Sequence, residues 1–156
     1  MRGKRAKKRE QKPDRKYGNT VITRLINKVM LDGKKSIAED MVYTSLEKGA
    51  EIVKEKDINT FINKAIDNVR PALEIKARRV GGANYQVPTP VSPRRQETLA
   101  VRWIVEYARN KSGKSFTELL TDELVNSYKG EGDAMKKKID TERMAEANKA
   151  FAHFRW

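Results

Sequence analysis

The side chains able to do chemistry in this chain are mostly cations. Lysine and arginine number 34 against 21 acidic residues, a formal net charge of +13 over 156 residues. There is no cysteine and one histidine, so a thiol nucleophile, a disulfide scaffold and thiolate or imidazole metal chemistry are not expected, and no cofactor or metal is called for. His153 sits between Ala152 and Phe154 with no nearby serine or second histidine to make a catalytic constellation. It reads as a packing or contact residue. Ala108–Ser115 imitates a phosphate-binding loop, with alanine for its first glycine. A working loop of that kind follows a buried strand and opens a helix. The residues before Ala108 have helical periodicity instead. The segment is expected to be a turn between helices, with Ser115 capping the second and Lys111 and Lys114 available to phosphates.

Position in the chain separates functional cations from a general solubilising charge. Residues 1–16 carry nine basic and two acidic side chains, and residues 76–95 carry five basic and none acidic. Those two stretches hold +12 of the net charge. Such concentration fits a surface that sits against phosphates. The first stretch, with Arg2, Lys4, Arg5, Lys7, Lys8 and Arg9, has no large apolar residue after Met1. It is expected to be a basic arm, disordered alone and ordered on nucleic acid. The second holds Lys76, Arg78, Arg79, Arg94 and Arg95, with Tyr85 offering a ring that could stack on a base. Arg95, Arg102 and Arg109 recur every seven residues, near one face of a helix. They form either a positive rail or surface partners for Glu97 and Glu106. Lys136, Lys137 and Lys138 span more than one helical face and read equally as a solvated turn or a patch.

The elements that must position these groups follow from apolar spacing. Val21, Ile22, Leu25, Ile26, Val29 and Met30 mark one face of a helix capped by Asn19 and stopped near Gly33, with Arg24 and Lys28 on its polar side. Ser36 and Glu39 form a capping-box pattern for a second helix striped by Ile37, Ala38, Met41, Val42, Ser45, Leu46, Ala50 and Val53. A third runs from Asp57 to Pro71 with Phe61, Ile62, Ala65, Ile66 and Val69 inward. Ser92-Pro93 opens a fourth, carrying Leu99, Ala100, Trp103, Ile104, Tyr107 and Ala108. Ser115 and Glu118 open a fifth that buries Phe116, Leu119, Leu120 and Leu124, and Gly130 and Gly132 break it. Met144, Ala147, Phe151 and Phe154 suggest a sixth. Between Leu73 and Pro90 the period drops to two. Gly81-Gly82 then signals a hairpin, with Pro88 and Pro90 keeping its second strand at an edge. The fold class is therefore mainly α: about six helices with a protruding two-stranded hairpin. The division is an arm at 1–16 and one helical domain at 17–156, with the hairpin at 73–90. An isolated hairpin is marginal in water, so the body and a partner must support it. No apolar run approaches the roughly 20 residues a membrane span needs.

Three segments are similar to one family. Asp32-Gly33-Lys34-Lys35-Ser36, Arg78 through Pro88 (RRVGGANYQVP) and Met144 through Trp156 (MAEANKAFAHFRW) resemble bacterial small-subunit ribosomal protein seven, over a match running from about Pro13 to the end. Ile139 and Glu142 depart from an acidic residue and a histidine in the family's pattern. The resemblance implies a helical bundle with a β-hairpin, no enzymatic activity and a cytoplasmic place in the small ribosomal subunit. It implies primary binding to 16S ribosomal RNA, nucleation of head assembly, and a position near the decoding centre with messenger RNA nearby. The hairpin would carry Arg78, Arg79, Gly81, Gly82, Asn84 and Tyr85 toward exit-site tRNA. Small-subunit proteins nine and eleven would be neighbours, with no homo-oligomer. The expected RNA contacts are the arm cations, Lys34, Lys35, Lys76, Arg78, Arg79, Arg94, Arg95, Arg102, Arg109, Lys111 and Lys114. The alternatives are an architectural DNA- or RNA-binding protein outside the ribosome, which would share the charge and the ribbon, and a nucleotide hydrolase using residues 108–115.

Overall fold

The computed structural model describes Gly3 and residues 10–154. Arg2, Lys4, Arg5, Lys7, Lys8, Arg9 and the final Arg155 and Trp156 lie outside the described residues, and so does most of the expected arm. The helices are α1 Thr20–Val29, α2 Lys35–Val53, α3 Ile58–Val69, α4 Pro93–Asn110, α5 Phe116–Lys129 and α6 Asp133–Ala147. Strands β1 Leu73–Val80 and β2 Ala83–Pro90 form an antiparallel ribbon between α3 and α4, and a 3₁₀ turn covers Lys149–Phe154. The mainly helical class with a hairpin is what the periodicities require.

Most helix ends are set by local chemistry. The Asn19 side chain accepts from the Val21 amide at 2.8 Å, and Asp57 accepts from the amides of Asn59 and Thr60 at 3.1 Å each. Ser115 and Glu118 make both halves of a capping box. Pro93 occupies the first turn of α4. Arg70, before Pro71, turns out of the helix at ψ 120°, and Gly130 closes α5 at φ 80°.

Four expectations need correction. α2 begins one residue before Ser36, with Lys34 at its cap position making no side-chain cap bond, so Ser36 and Glu39 are not a capping box. α1 ends at Met30 (ψ 133°), and Gly33, at φ 75°, shapes the turn after it. Ile37 is 51% exposed while its neighbour Ala38 is 3% exposed, so the first turn of α2 buries the next residue round the helix instead. Met144 is 45% exposed on α6, while Phe151 and Phe154 pack on the hairpin rather than in the core.

The core lies where α5 packs against α2, α3 and α4, with Phe61, Leu46, Ile62, Ile66, Ile104, Leu120 and Leu124 fully buried. α2 and α3 approach closely at Gly49, where an added Cβ would stand 2.8 Å from Phe61 Cζ. The hairpin turns at Gly81 and Gly82, φ 59° and 88°, the double positive φ of the tight turn that matches strand twist. Its base is held from three sides. Val87 and Pro88 are buried, the Val91 amide donates to Ala72 O at 3.0 Å, and the Ala72 amide donates to Glu142 on α6 at 2.9 Å. Farther out, Tyr85 packs against Phe151 and Phe154 of the 3₁₀ turn, with ring centroids 5.3 and 4.9 Å apart.

Candidate nucleic-acid interface

The basic residues gather where α1 crosses α4. Arg24, Asn27 and Lys28 project from one face of α1, and Arg94, Thr98, Val101 and Arg102 from the facing side of α4. The spacings are i, i+3, i+4 and i, i+4, i+7, i+8, the residues that share a helix face. They line a groove of about 280 Å³ that Gln11 closes at one end. Four cations and no acid line it. Residues before α1 run beside it: Thr23 Oγ1 donates to Lys12 O at 3.1 Å, and Arg24 Nε donates to Gln11 Oε1 at 2.5 Å. Asp14 is buried and accepts from the amides of Lys16 and Tyr17, fixing the entry into α1.

The other expected contacts are scattered by the fold. Lys34 and Lys35 are exposed at the start of α2, and Lys35 faces Glu39 at 3.5 Å. Arg78 pairs across the ribbon with Tyr85, and Arg79 with Asn84. Neighbours on a strand point to opposite faces, so Arg78 shares the face of Tyr85 while Arg79 lies on the other. Tyr85 already packs against Phe151 and Phe154, which occupies the ring expected to meet a base. Lys76 and Arg95 both approach Glu74, at 3.1 and 3.3 Å, tying the ribbon to the start of α4.

The heptad series Arg95, Arg102 and Arg109 divides. Arg102 lines the groove. Arg109 donates to the carbonyl of Val29 at 2.8 Å, closing the end of α1, and stacks over Phe116 at 5.9 Å. In the 108–115 segment, α4 runs directly into a turn and α5. Lys111 pairs with Glu123 at 2.5 Å and Asp133 at 3.1 Å. Burial opposes the charge on Lys111, yet its hydrogen bonds to Glu123 and Asp133 prevail and hold its pKa above the ordinary lysine value. Lys114 is raised by its bond to Asp122, at 2.8 Å. Both lysines of the mimic loop are thus engaged by carboxylates of the bundle. Among the described residues no group of histidines, aspartates or glutamates is placed to hold a metal ion.

Sequence reasoning missed Asn27 and the role of Arg24 and Lys28. The i, i+4 spacing of the last two was visible, but nothing local set them opposite Arg94 and Arg102.

Comparison with known proteins places the chain in a family. Residues 1–149 match the family described as Ribosomal protein S7p/S5e. Small ribosomal subunit protein uS7 of Nautilia profundicola is 54% identical over the full length of both chains. The protein of the same name from a Sulfurovum species is 52% identical over the full length of both. That of Borrelia hermsii is 52% identical across 99% of this chain and 98% of its own.

Proposed function

The chain belongs to the ribosomal protein S7p/S5e family, and on that premise we propose that it binds 16S ribosomal RNA as a constituent of the small ribosomal subunit in the cytoplasm. It is a structural protein and not an enzyme, as its family and its uS7 relatives are. The observation that carries RNA binding is the groove between α1 and α4, where Arg94 and Arg102 converge with Arg24 and Lys28, the latter two also paired with Glu97 and Glu106 at the groove's margin. Guanidinium and ammonium groups there neutralise phosphates and release counterions. A-form RNA hides its major groove, so shape and backbone carry the recognition. The helices supply a rigid face and the hairpin reaches beyond it. Nucleation of the subunit head, a place near the decoding centre and messenger, the hairpin's approach to exit-site tRNA, and contacts with small-subunit proteins nine and eleven belong to the same reading. So do the arm at 1–16 and the domain at 17–156.

The test is a salt series with a transcribed head fragment of the small-subunit RNA and an unrelated folded RNA of equal length. Preference for the head fragment by orders of magnitude, surviving high salt, supports the reading. Arg94→Gln and Arg102→Gln should each lower the salt slope by about one unit. Equal affinities that fade with one slope would reduce the protein to a polycation. Preference for duplex DNA would favour an architectural role outside the ribosome.

A further inference from the structure

Glu74 precedes a stretch, residues 76–95, that holds five cations and no acid. It stands on β1 two residues before Lys76, so the two side chains share one face of the ribbon. Arg95 reaches the same carboxylate from the first turn of α4. Lys76 Nζ lies 3.1 Å from Glu74 Oε1, and Arg95 Nε donates to Oε2 at 3.3 Å. One carboxylate therefore gathers a cation from the hairpin and a cation from the body at the point where the two meet. The Glu74 side chain is 13% exposed, whereas those of Lys76 and Arg95 are 53% and 45% exposed. The acid is the inner member of the trio and the cations are the outer ones.

This geometry leaves donors to spare. A guanidinium has five N–H donors and an ammonium three. Glu74 takes only the Nε side of Arg95, and the two Nη groups make no hydrogen bond among the described residues. Paired guanidinium N–H groups grip a phosphate through parallel bonds, and the end bearing both Nη groups is open to one. Lys76 adds a compact positive charge beside it. Long cationic side chains lose rotamer freedom when a ligand immobilises them, and a side chain already held loses less. An acid on a face that meets a polyanion weakens binding through its charge. A carboxylate that orients two cations offsets that loss.

We propose that Glu74 is a positioning residue for RNA: it holds Lys76 and Arg95 together as one seat for a single backbone phosphate where the hairpin leaves the body. Arg94, the residue before Arg95 on α4, lines the groove, so the seat continues the groove onto the ribbon. This rests on the RNA-binding reading above, to which it adds an acid that contributes to binding.

Two measurements test it. In the first, salt series on the head fragment compare the wild type with Glu74→Gln, Lys76→Gln, Arg95→Gln and the doubles Glu74→Gln/Arg95→Gln and Lys76→Gln/Arg95→Gln, with circular dichroism to verify folding. Removal of a negative charge by itself tightens binding to every RNA. A positioning role predicts the opposite: Glu74→Gln lowers head-fragment affinity about threefold or more, and causes no further loss once Arg95 is already glutamine. A shared phosphate means that Lys76→Gln/Arg95→Gln lowers the salt slope by about one unit, whereas two separate phosphates would give about two. Unchanged or tighter binding by Glu74→Gln, a loss that persists without Arg95, or a slope lowered by about two units overturns the proposal. Should Glu74→Gln fail to fold, the slope of the Lys76→Gln/Arg95→Gln double decides.

The second measurement needs no ribosomal RNA, so its failure is distinguishable from failure of the RNA-binding reading. The Nε–H signals of Arg95 and Arg102 are followed by NMR during titration with inorganic phosphate. Glu74→Gln and Lys76→Gln should each weaken the Arg95 response about twofold or more, with a smaller change at Arg102 in the groove. An Arg95 response that is unaltered or strengthened in either variant, or an equal loss at Arg95 and Arg102, overturns the proposal and leaves Glu74 as a tie between ribbon and body.

Discussion

Replacing Lys111 with methionine leaves the Glu123 carboxylate, fully buried on α5, with the Ala134 amide at 2.9 Å as its remaining partner among the described residues. Removing one member of a buried pair costs about 3–5 kcal/mol, because an uncompensated charge is left in low dielectric. Two features lower that figure here. Glu123 keeps its amide bond, and the Lys111 side chain is 31% exposed, so water reaches that end of the pair. The expected loss is about 2–4 kcal/mol, a large share of a typical domain stability of about 5–15 kcal/mol. Urea unfolding followed by tryptophan fluorescence and circular dichroism would measure it, since Trp103, one of two tryptophans, is 7% exposed and packs in the core. The double variant Lys111→Met with Glu123→Gln should recover more than half the loss. The amide removes the orphaned charge and retains an acceptor for Ala134 N. RNA affinity of the folded single variant should stay within about twofold, with an unchanged salt slope, because this lysine faces carboxylates. A stability change under about 0.5 kcal/mol, the range of ordinary surface substitutions, would refute the structural role. A salt slope lowered by about one unit would return Lys111 to the RNA surface.

Further outcomes follow from the same geometry. Gly49→Ala should gain up to about 1 kcal/mol in helix propensity yet lose about 1–3 kcal/mol to overpacking. The added carbon meets the rigid, fully buried Phe61 ring at 2.8 Å; a higher melting temperature would contradict this. Tyr85→Ala removes two ring contacts worth about 0.5–1.5 kcal/mol each, and it should raise amide exchange in residues 73–90 and 149–154 more than in the core, as exchange mass spectrometry would show. On the acid side, Asp133 is held below the ordinary aspartate value, chiefly by its hydrogen bond to Lys111. Its contribution is present above the unfolded value near 3.8 and is lost as pH falls through the lower folded value. Lys111→Met should therefore flatten the stability–pH curve below about pH 4, and an unchanged acid limb would count against the Asp133–Lys111 bond.

Much of the architecture can be read from local chemistry. Asn19, Asp57 and Ser115 start helices because their side chains satisfy amides within three residues, and α4 starts at Pro93, whose fixed φ suits the first turn and whose missing N–H leaves no amide to cap. Gly81-Gly82 forces a tight turn because both positions need positive φ. The switch from period 3.6 to period 2 at Leu73 marks the ribbon for the same reason: both signals are contained in neighbouring residues. The unbroken basic character of residues 76–95 pointed to a polyanion without any coordinates.

What each cation does was decided by tertiary structure. Lys111 and Arg109 look like phosphate ligands in the sequence, yet one neutralises a buried glutamate and the other closes the end of α1. Tyr85 looks like a base-stacking ring and is a packing anchor for the C-terminal turn. Arg24 and Arg70 look incidental and both approach Glu97 on α4. Ile37 has core spacing but stands exposed beside the buried Ala38. The contacts of Lys111, Arg109 and Tyr85 reach residues 12 to 80 positions away in the chain. The elements, most of their caps and the concentration of basic charge are legible in the residues alone, since those are short-range properties of composition and spacing. Which charges meet acids and which meet solvent follows from the packing of α1, α4 and α5, which no local signal contains.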